Sequence, residues 1–167
     1  MKYDVMIIGS GPGGYVAAVR AAQLGFNTAV VERENLGGIC LNWGCIPTKA
    51  LLKSAQAYNY IKHSADYGVQ IEGTFKPDMN AIVDRSRGVA TTMGKGVAHL
   101  MQKNNITVIE GEAKLTSDRK VSVNMKDGSG EQVFEADHII LATGARSRNL
   151  PNMPQDGKKI IGYREAM

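Results

Sequence analysis

The chain has 167 residues, 20 Lys and Arg against 16 Asp and Glu, and a formal net charge of +4. That length supports one domain with a real core, and the basic residues are too scattered to form a nucleic-acid or membrane patch. No run reaches the ~20 apolar residues of a membrane span, and no signal or transit pattern precedes the first strand, so the chain reads as cytoplasmic.

In chain order, Val5 to Ile8 is a short apolar run suited to a strand buried on both faces. The glycine-rich segment Gly9 to Gly14 follows. An alanine-rich helical pattern then runs from Val16 to Leu24, with Gly25 placed as its C-terminal cap. Thr28 to Glu32 is a second strand, which completes a βαβ unit. A second helix lies between Asn42 and His63, and a polar loop spans Ser64 to Pro77. Met79 to Lys103 predicts a long helix whose apolar face carries Ile82, Val83, Val89, Ala90, Met93, Val97, Leu100 and Met101. Gly88, Gly94 and Gly96 weaken that pattern, since each costs up to ~1 kcal/mol against Ala in a helix.

Ile106 to Ile109 reads as a third parallel strand. Val121 to Met125 and Gln132 to Ala136 alternate around Asp127-Gly128-Ser129-Gly130 and predict a hairpin. His138 to Ala142 is a further buried strand ending at Thr143-Gly144. The segment from Asn149 onward, with Pro151, Pro154 and Gly157, reads as a connector out of the domain. The expected class is α/β. A parallel sheet with flanking helices and an inserted antiparallel β-meander fills residues 1–148, and 149–167 form the connector.

Gly9, Gly11 and Gly14 form G-x-G-x-x-G between a strand and a helix. Gly9 suits a tight turn, Gly11 lets backbone approach a pyrophosphate, and Gly14 lets helix and strand pack closely. The helix N-terminus offers free N–H groups and a positive dipole end to phosphates. Glu32, at the end of the second strand, is placed to accept hydrogen bonds from ribose hydroxyls and disfavours a 2′-phosphate, so FAD or NAD fits better than NADP. The alternative is a glycine-rich loop without a ligand. Strand, glycines, helix and acid in register argue against it.

Cys40 and Cys45 are the only two cysteines. They stand in Gly37-Gly38-Ile39-Cys40-Leu41-Asn42-Trp43-Gly44-Cys45-Ile46-Pro47-Thr48-Lys49, just before a helix. Residues five apart in a regular helix are about 7.5 Å apart along the axis, whereas a disulfide needs Cα atoms within ~7 Å. If the two bond, this turn is not regular helix; Gly44 and Pro47 suit such a distortion. The adjoining helix start favours a thiolate, and Lys49 shares a helical face with Cys45. A structural disulfide closing so short a loop would contribute only roughly 2 kcal/mol, and a reducing compartment argues against it. Zinc needs four ligands, which two cysteines and the scattered His63, His99 and His138 supply poorly. A redox pair beside a dinucleotide fold accounts for both features, with inert thiols as the remaining alternative.

At these residues the chain closely resembles the pyridine nucleotide-disulfide oxidoreductases. The matching stretches are Gly9 to Ala18, Leu36 to Cys40 and Leu41 to Leu52, with Gly111-Glu112-Ala113 and Ala142-Thr143-Gly144 further on. The resemblance implies a Rossmann-like FAD-binding domain, incomplete relative to the full family fold. It implies that Gly9, Gly11 and Gly14 cradle the FAD pyrophosphate and that Glu32 binds the adenosine ribose. Arg33, Gly37 and Gly38 would also lie along the cofactor. Ala113 would meet the adenine, and Thr143 and Gly144 would border the cofactor. Cys45 would be the thiol beside the flavin, Cys40 the outer thiol that exchanges with a dithiol substrate, and Lys49 a neighbour of the reactive flavin edge.

Within the family, Leu41, Ile46 and Thr48 look most like members that oxidise a dihydrolipoyl group. The implied partners are the lipoyl group of a 2-oxoacid dehydrogenase complex or of the glycine cleavage system, NAD bound by a further domain, and a second subunit in a homodimer. Glutathione- or mercuric-reductase-like members and a stand-alone flavin-binding redox module are the alternatives. This stretch alone would bind FAD weakly or not at all and would not turn over. Two positions depart from the family pattern. Ile39 stands where Thr is frequent, which removes a hydroxyl contact. Trp43 replaces a common Val and is read as a packing residue of the core.

Overall fold

A computed structural model describes residues 1–167. The chain has five strands, β1 (Lys2–Ile8), β2 (Thr28–Glu32), β3 (Thr107–Leu115), β4 (Lys120–Met125) and β5 (Glu131–Leu141), and four helices: α1 (Pro12–Gln23) between β1 and β2, then α2 (Gly38–Trp43), α3 (Cys45–Lys62) and α4 (Met79–Lys103) in succession between β2 and β3. A short 3-10 turn, Ser64–Tyr67, lies within the predicted polar loop. No helix is long and apolar enough to cross a membrane.

β1 is the centre of the parallel part. It pairs with β2 through Val5↔Thr28 to Ile8↔Val31 and with β5 through Lys2↔Glu135 to Ile8↔Leu141. β2 pairs with the first residues of β3, Ala29↔Thr107 to Glu32↔Glu110. From Gly111 onward β3 changes partner and direction, running antiparallel to β4, and β4 runs antiparallel to the first half of β5. The expected meander is therefore β3–β4–β5, and its outer strands extend to become parallel strands of the same sheet. The ring β1–β2–β3–β4–β5 closes into a barrel. Gln132 to Ala136 and His138 to Ala142, read from sequence as two strands, are one continuous β5 as far as Leu141. The hydrophobic pattern changes between them because the strand exchanges β4 for β1, not because the chain turns.

Two cores result. Met6, Ile8, Val31, Ile109, Val121, Val123 and Phe134 meet inside the barrel. Val5, Ile7, Val30 and Ile106 face outward onto Ala18 and Ala21 of α1, Leu41 of α2, and Val97 and Met101 of α4. Side chains of this size contribute ~1.5–3 kcal/mol each on full burial. Strand alternation slips by one on both β1 and β5. Tyr3 and Ala136 point into the barrel together with Met6 and, partly, Ile139. The Asp4 and Val5 amides both donate to the Asn27 carbonyl, at 2.9 and 3.3 Å, as at a β-bulge.

Helix α1 starts earlier than its apolar pattern suggests, because Pro12 at its first turn loses no needed donor. It ends as expected at Gly25, whose φ is +92°; the Gly25 and Phe26 amides donate to the Ala22 and Ala21 carbonyls at 2.9 and 3.2 Å, a Schellman arrangement. Helix α4 is unbroken over 25 residues. Its buried positions are Ser86, Ala90, Val97 and Met101, while Val83, Met93 and Leu100 of the expected apolar face are exposed. The buried stripe follows the contact with α1, α2 and α3, and small residues fill it where the helices approach most closely.

Candidate dinucleotide and disulfide site

The loops that follow β1, β2 and β5 converge at the carboxyl ends of the parallel strands, where open α/β sheets hold their ligands. They surround a cavity of about 680 Å³. Of the residues singled out from sequence, Gly9, Gly11, Glu32, Arg33, Gly38, Cys40, Cys45, Ala113, Thr143 and Gly144 line it. Gly14, Gly37 and Lys49 are not part of the lining.

The three motif glycines divide their work. A side chain at Gly9, which has φ +98°, would overlap the Ala142 carbonyl, so the loops after β1 and β5 touch there. One at Gly14 would overlap the Gly9 carbonyl oxygen, where α1 lies against the end of β1. A Cβ at Gly11 would meet nothing within 4 Å on that side. Gly11 is thus the one of the three left clear, at the N-terminus of α1. Gly38, with φ +60°, closes the opposite wall, and a Cβ there would stand 2.7 Å from Gly11 Cα.

Gly37 acts from beneath this wall. It is buried in a left-handed conformation, φ +92°, at the start of α2. Its amide faces Ser10, with its nitrogen 3.1 Å from the carbonyl oxygen and 3.2 Å from Oγ. Ser10 was not singled out from sequence, although it is fully buried. Its amide and hydroxyl both donate to Glu32 Oε2, at 3.0 and 2.6 Å, and the Glu34 amide donates to Oε1 at 2.8 Å. Three donors therefore hold the Glu32 carboxylate at the cavity wall, with acceptor capacity left on Oε1. The available signal was a hydroxyl at a variable position of the glycine motif, one short loop from a strand-end acid.

Cys40 and Cys45 are joined by a disulfide, with Cα atoms 4.7 Å apart. As their spacing requires, the helix breaks between them: α2 ends at Trp43 and α3 starts at Cys45, with Gly44 at φ −140°, ψ −112°. Pro47 falls in the first turn of α3, where its missing N–H costs little. Lys49 is exposed on α3, one turn beyond Cys45.

Trp43 corrects its sequence reading. It lines the cavity and is only partly buried, and the Arg164 guanidinium stacks on its ring, 4.0 Å from the centroid. Arg164 also pairs with Glu34 at 2.7 Å, and hydrogen bonds to Tyr163 and Glu34 hold its pKa above the ordinary arginine value. The segment after β5 thus passes across the cavity mouth, where Tyr163 and Arg164 join the lining. Sequence reasoning missed both, because nothing local marks a tail residue as the partner of an indole so distant in the chain. Arg33 pairs with Glu112 at 3.5 Å across the cavity wall.

The cavity thus brings a glycine-rich loop, a strand-end carboxylate and a disulfide-bearing turn to one place. The chain belongs to the pyridine nucleotide-disulphide oxidoreductase family, whose pattern matches residues 3–166. Among curated relatives it is similar to dihydrolipoyl dehydrogenase of Rhizobium etli, 53% identical over 99% of this chain and 37% of that protein. It is also similar to dihydrolipoyl dehydrogenase of Zymomonas mobilis, 50% identical over 99% of this chain and 35% of that protein. The chain spans about a third of the length of these relatives. Among solved structures, LpdA of Mycobacterium tuberculosis superposes with a TM-score of 0.83 at 26% identity, over 97% of this chain and 36% of that one. The flavoprotein disulfide reductase RclA of Escherichia coli superposes with a TM-score of 0.75 at 28% identity, over 90% of this chain and 30% of that one.

Proposed function

We propose that this chain is the FAD-binding, disulfide-bearing part of a dihydrolipoyl dehydrogenase. The observation that carries the reading is one cavity lined by Gly11, Glu32 and both cysteines. The residues fit the cofactor. Gly11 leaves room for a pyrophosphate at the α1 N-terminus, Glu32 presents a fixed acceptor to a ribose, and Ala113, Thr143 and Gly144 line the remaining wall. Bound FAD supplies two-electron acceptance from a dithiol.

The chain's own part is thiol–disulfide exchange. One thiolate of a dihydrolipoyl group attacks Cys40 Sγ and breaks the Cys40–Cys45 bond, which leaves Cys45 as a thiolate. The second substrate thiol then displaces Cys40 from the mixed disulfide. The substrate becomes a cyclic disulfide, and the two cysteines hold the electron pair. Lys49, one turn from Cys45, supplies positive charge on the side where that thiolate forms. The dihydrolipoyl group belongs to a 2-oxoacid dehydrogenase complex or the glycine cleavage system, NAD⁺ is the final acceptor, and the working unit is a homodimer.

Titration with FAD followed by dithiothreitol tests the reading. We expect flavin fluorescence to be quenched on binding and a long-wavelength absorption band to develop on reduction. The band should be lost in Cys45→Ser and kept in Cys40→Ser. Identical spectra for the two FAD-bound variants, or no long-wavelength band in the FAD-bound, reduced parent, would overturn the assignment.

A further inference from the structure

Helix α4 reaches the disulfide turn through two arginines in different circumstances. Arg85 is exposed, so its remaining donors face solvent, and its Nη1 donates to the Ala50 carbonyl at 2.9 Å and lies 3.3 Å from Ser54 Oγ on α3. Arg87 is inserted between helices. Its Nη1 donates to the Asn42 carbonyl at 2.9 Å, while Nε and Nη2 are buried with no hydrogen-bond partner. No carboxylate pairs with it. A guanidinium stays charged in proteins, and buried donors without acceptors are costly. The sequence therefore keeps an uncompensated positive charge beneath one particular carbonyl.

That carbonyl lies inside the Cys40–Cys45 loop. Asn42 is two residues after one cysteine and three before the other, so no more than about 11 Å of chain separates it from Cys45. It is also at the carbonyl end of α2, whose partial negative charge would oppose a thiolate forming next to it. The Asn42 side chain extends the link, since Nδ2 donates to the Leu36 and Gly38 carbonyls at 3.0 and 2.9 Å. Through Gly37 and Ser10 the link continues to Glu32.

We infer that Arg87 is a positioning residue for the redox couple: it holds the disulfide turn by the Asn42 carbonyl and stabilises the reduced, thiolate-bearing form of Cys40–Cys45. The inference rests on the redox role proposed above. Reduction by a small dithiol breaks the Cys40–Cys45 bond. The dithiol becomes a disulfide, and the protein keeps one thiol and one thiolate as a proton leaves to solvent. The charge on Arg87 compensates that thiolate, and the oxidised state has no anion to match it. Lys49 and Arg85 on the neighbouring helices, and Glu32, Arg33, Glu34, Glu112, Arg146 and Arg164 in the cavity that both cysteines line, are constant across the comparison below.

The test is the equilibrium of Cys40–Cys45 with dithiothreitol, measured on this chain and on Arg87→Gln and Arg87→Lys, together with the pH profile of thiol alkylation after reduction. Gln keeps a donor for the Asn42 carbonyl and removes the charge. Arg87→Gln should shift the equilibrium about tenfold toward the disulfide, roughly 30 mV for a two-electron couple, and move the alkylation profile to higher pH. Arg87→Lys should restore most of both. A folded Arg87→Gln chain with the parent's equilibrium and profile overturns the inference. So does an Arg87→Gln chain that fails to fold while Arg87→Lys folds, since Arg87 is then a structural residue alone. Neither measurement needs FAD or a lipoyl substrate, so failure of the functional proposal is read separately, in the FAD titration.

Discussion

At Gly14 a single added methyl group would land on the Gly9 carbonyl oxygen, backbone against backbone, with no flexible side chain able to yield. Gly13, its neighbour in the same helix, has open space at the corresponding point. Gly14→Ala should therefore lower stability by roughly 1–3 kcal/mol through overpacking, whereas Gly13→Ala should be neutral or stabilise by up to ~1 kcal/mol. Urea unfolding midpoints of the two variants check the contrast; equal midpoints would mean that α1 is not pressed against β1 as described. The motif reading anticipated the turn at Gly9 and the close helix–strand packing at Gly14, because both follow from local geometry. Ser10 could not be anticipated in the same way. Its bond to Glu32 joins residues 22 apart in sequence, and it depends on how the first two strands lie side by side.

Among the elements, α4 is the one held most clearly by its ends. Asp78 accepts from the Ala81 amide at 3.1 Å, as an N-cap does. Asn105, in a left-handed conformation at φ +54°, closes the far end, where the Ile106 amide donates to the Met101 carbonyl at 2.9 Å. Between them Gly88, Gly94 and Gly96 touch nothing that demands a glycine. Asp78→Ala should cost about 1 kcal/mol, read from a thermal melt, and a variant melting with the parent would show that the cap contributes nothing.

The βαβ unit, α3 and α4 were legible because hydrophobic period, caps and glycines all lie within a few residues of one another. Barrel closure was not. β3 and β5 each change neighbour partway along, and a strand that continues with a new partner looks, in one dimension, like two strands. Trp43 illustrates the same limit, since its stacking partner is supplied by the opposite end of the chain.

For the molecule as a whole, the segment after β5 decides how open the cavity is. Its turn is organised by Asp156, whose Oδ1 accepts from the Lys158, Lys159 and Ile160 amides at 2.8, 2.8 and 2.9 Å. Those bonds, with Lys158 foremost, hold the Asp156 pKa below its ordinary 3.8. Because the folded value is depressed, the turn's contribution is complete above 3.8 and fades as pH falls through the lower folded value. A carboxyl chemical-shift titration should therefore place the Asp156 midpoint below 3.8. Faster amide exchange at Lys158 to Ile160 should set in only at still lower pH, and a midpoint at or above the ordinary value would show the turn unformed.

The chain contains one tryptophan, set inside the disulfide loop and covered by Arg164. Its emission is consequently a native optical gauge with no competing indole. Opening of the sulfur bridge removes a neighbouring quencher, and departure of the guanidinium exposes the ring to solvent. The first changes intensity and the second wavelength, so one spectrum separates redox state from tail docking without any label.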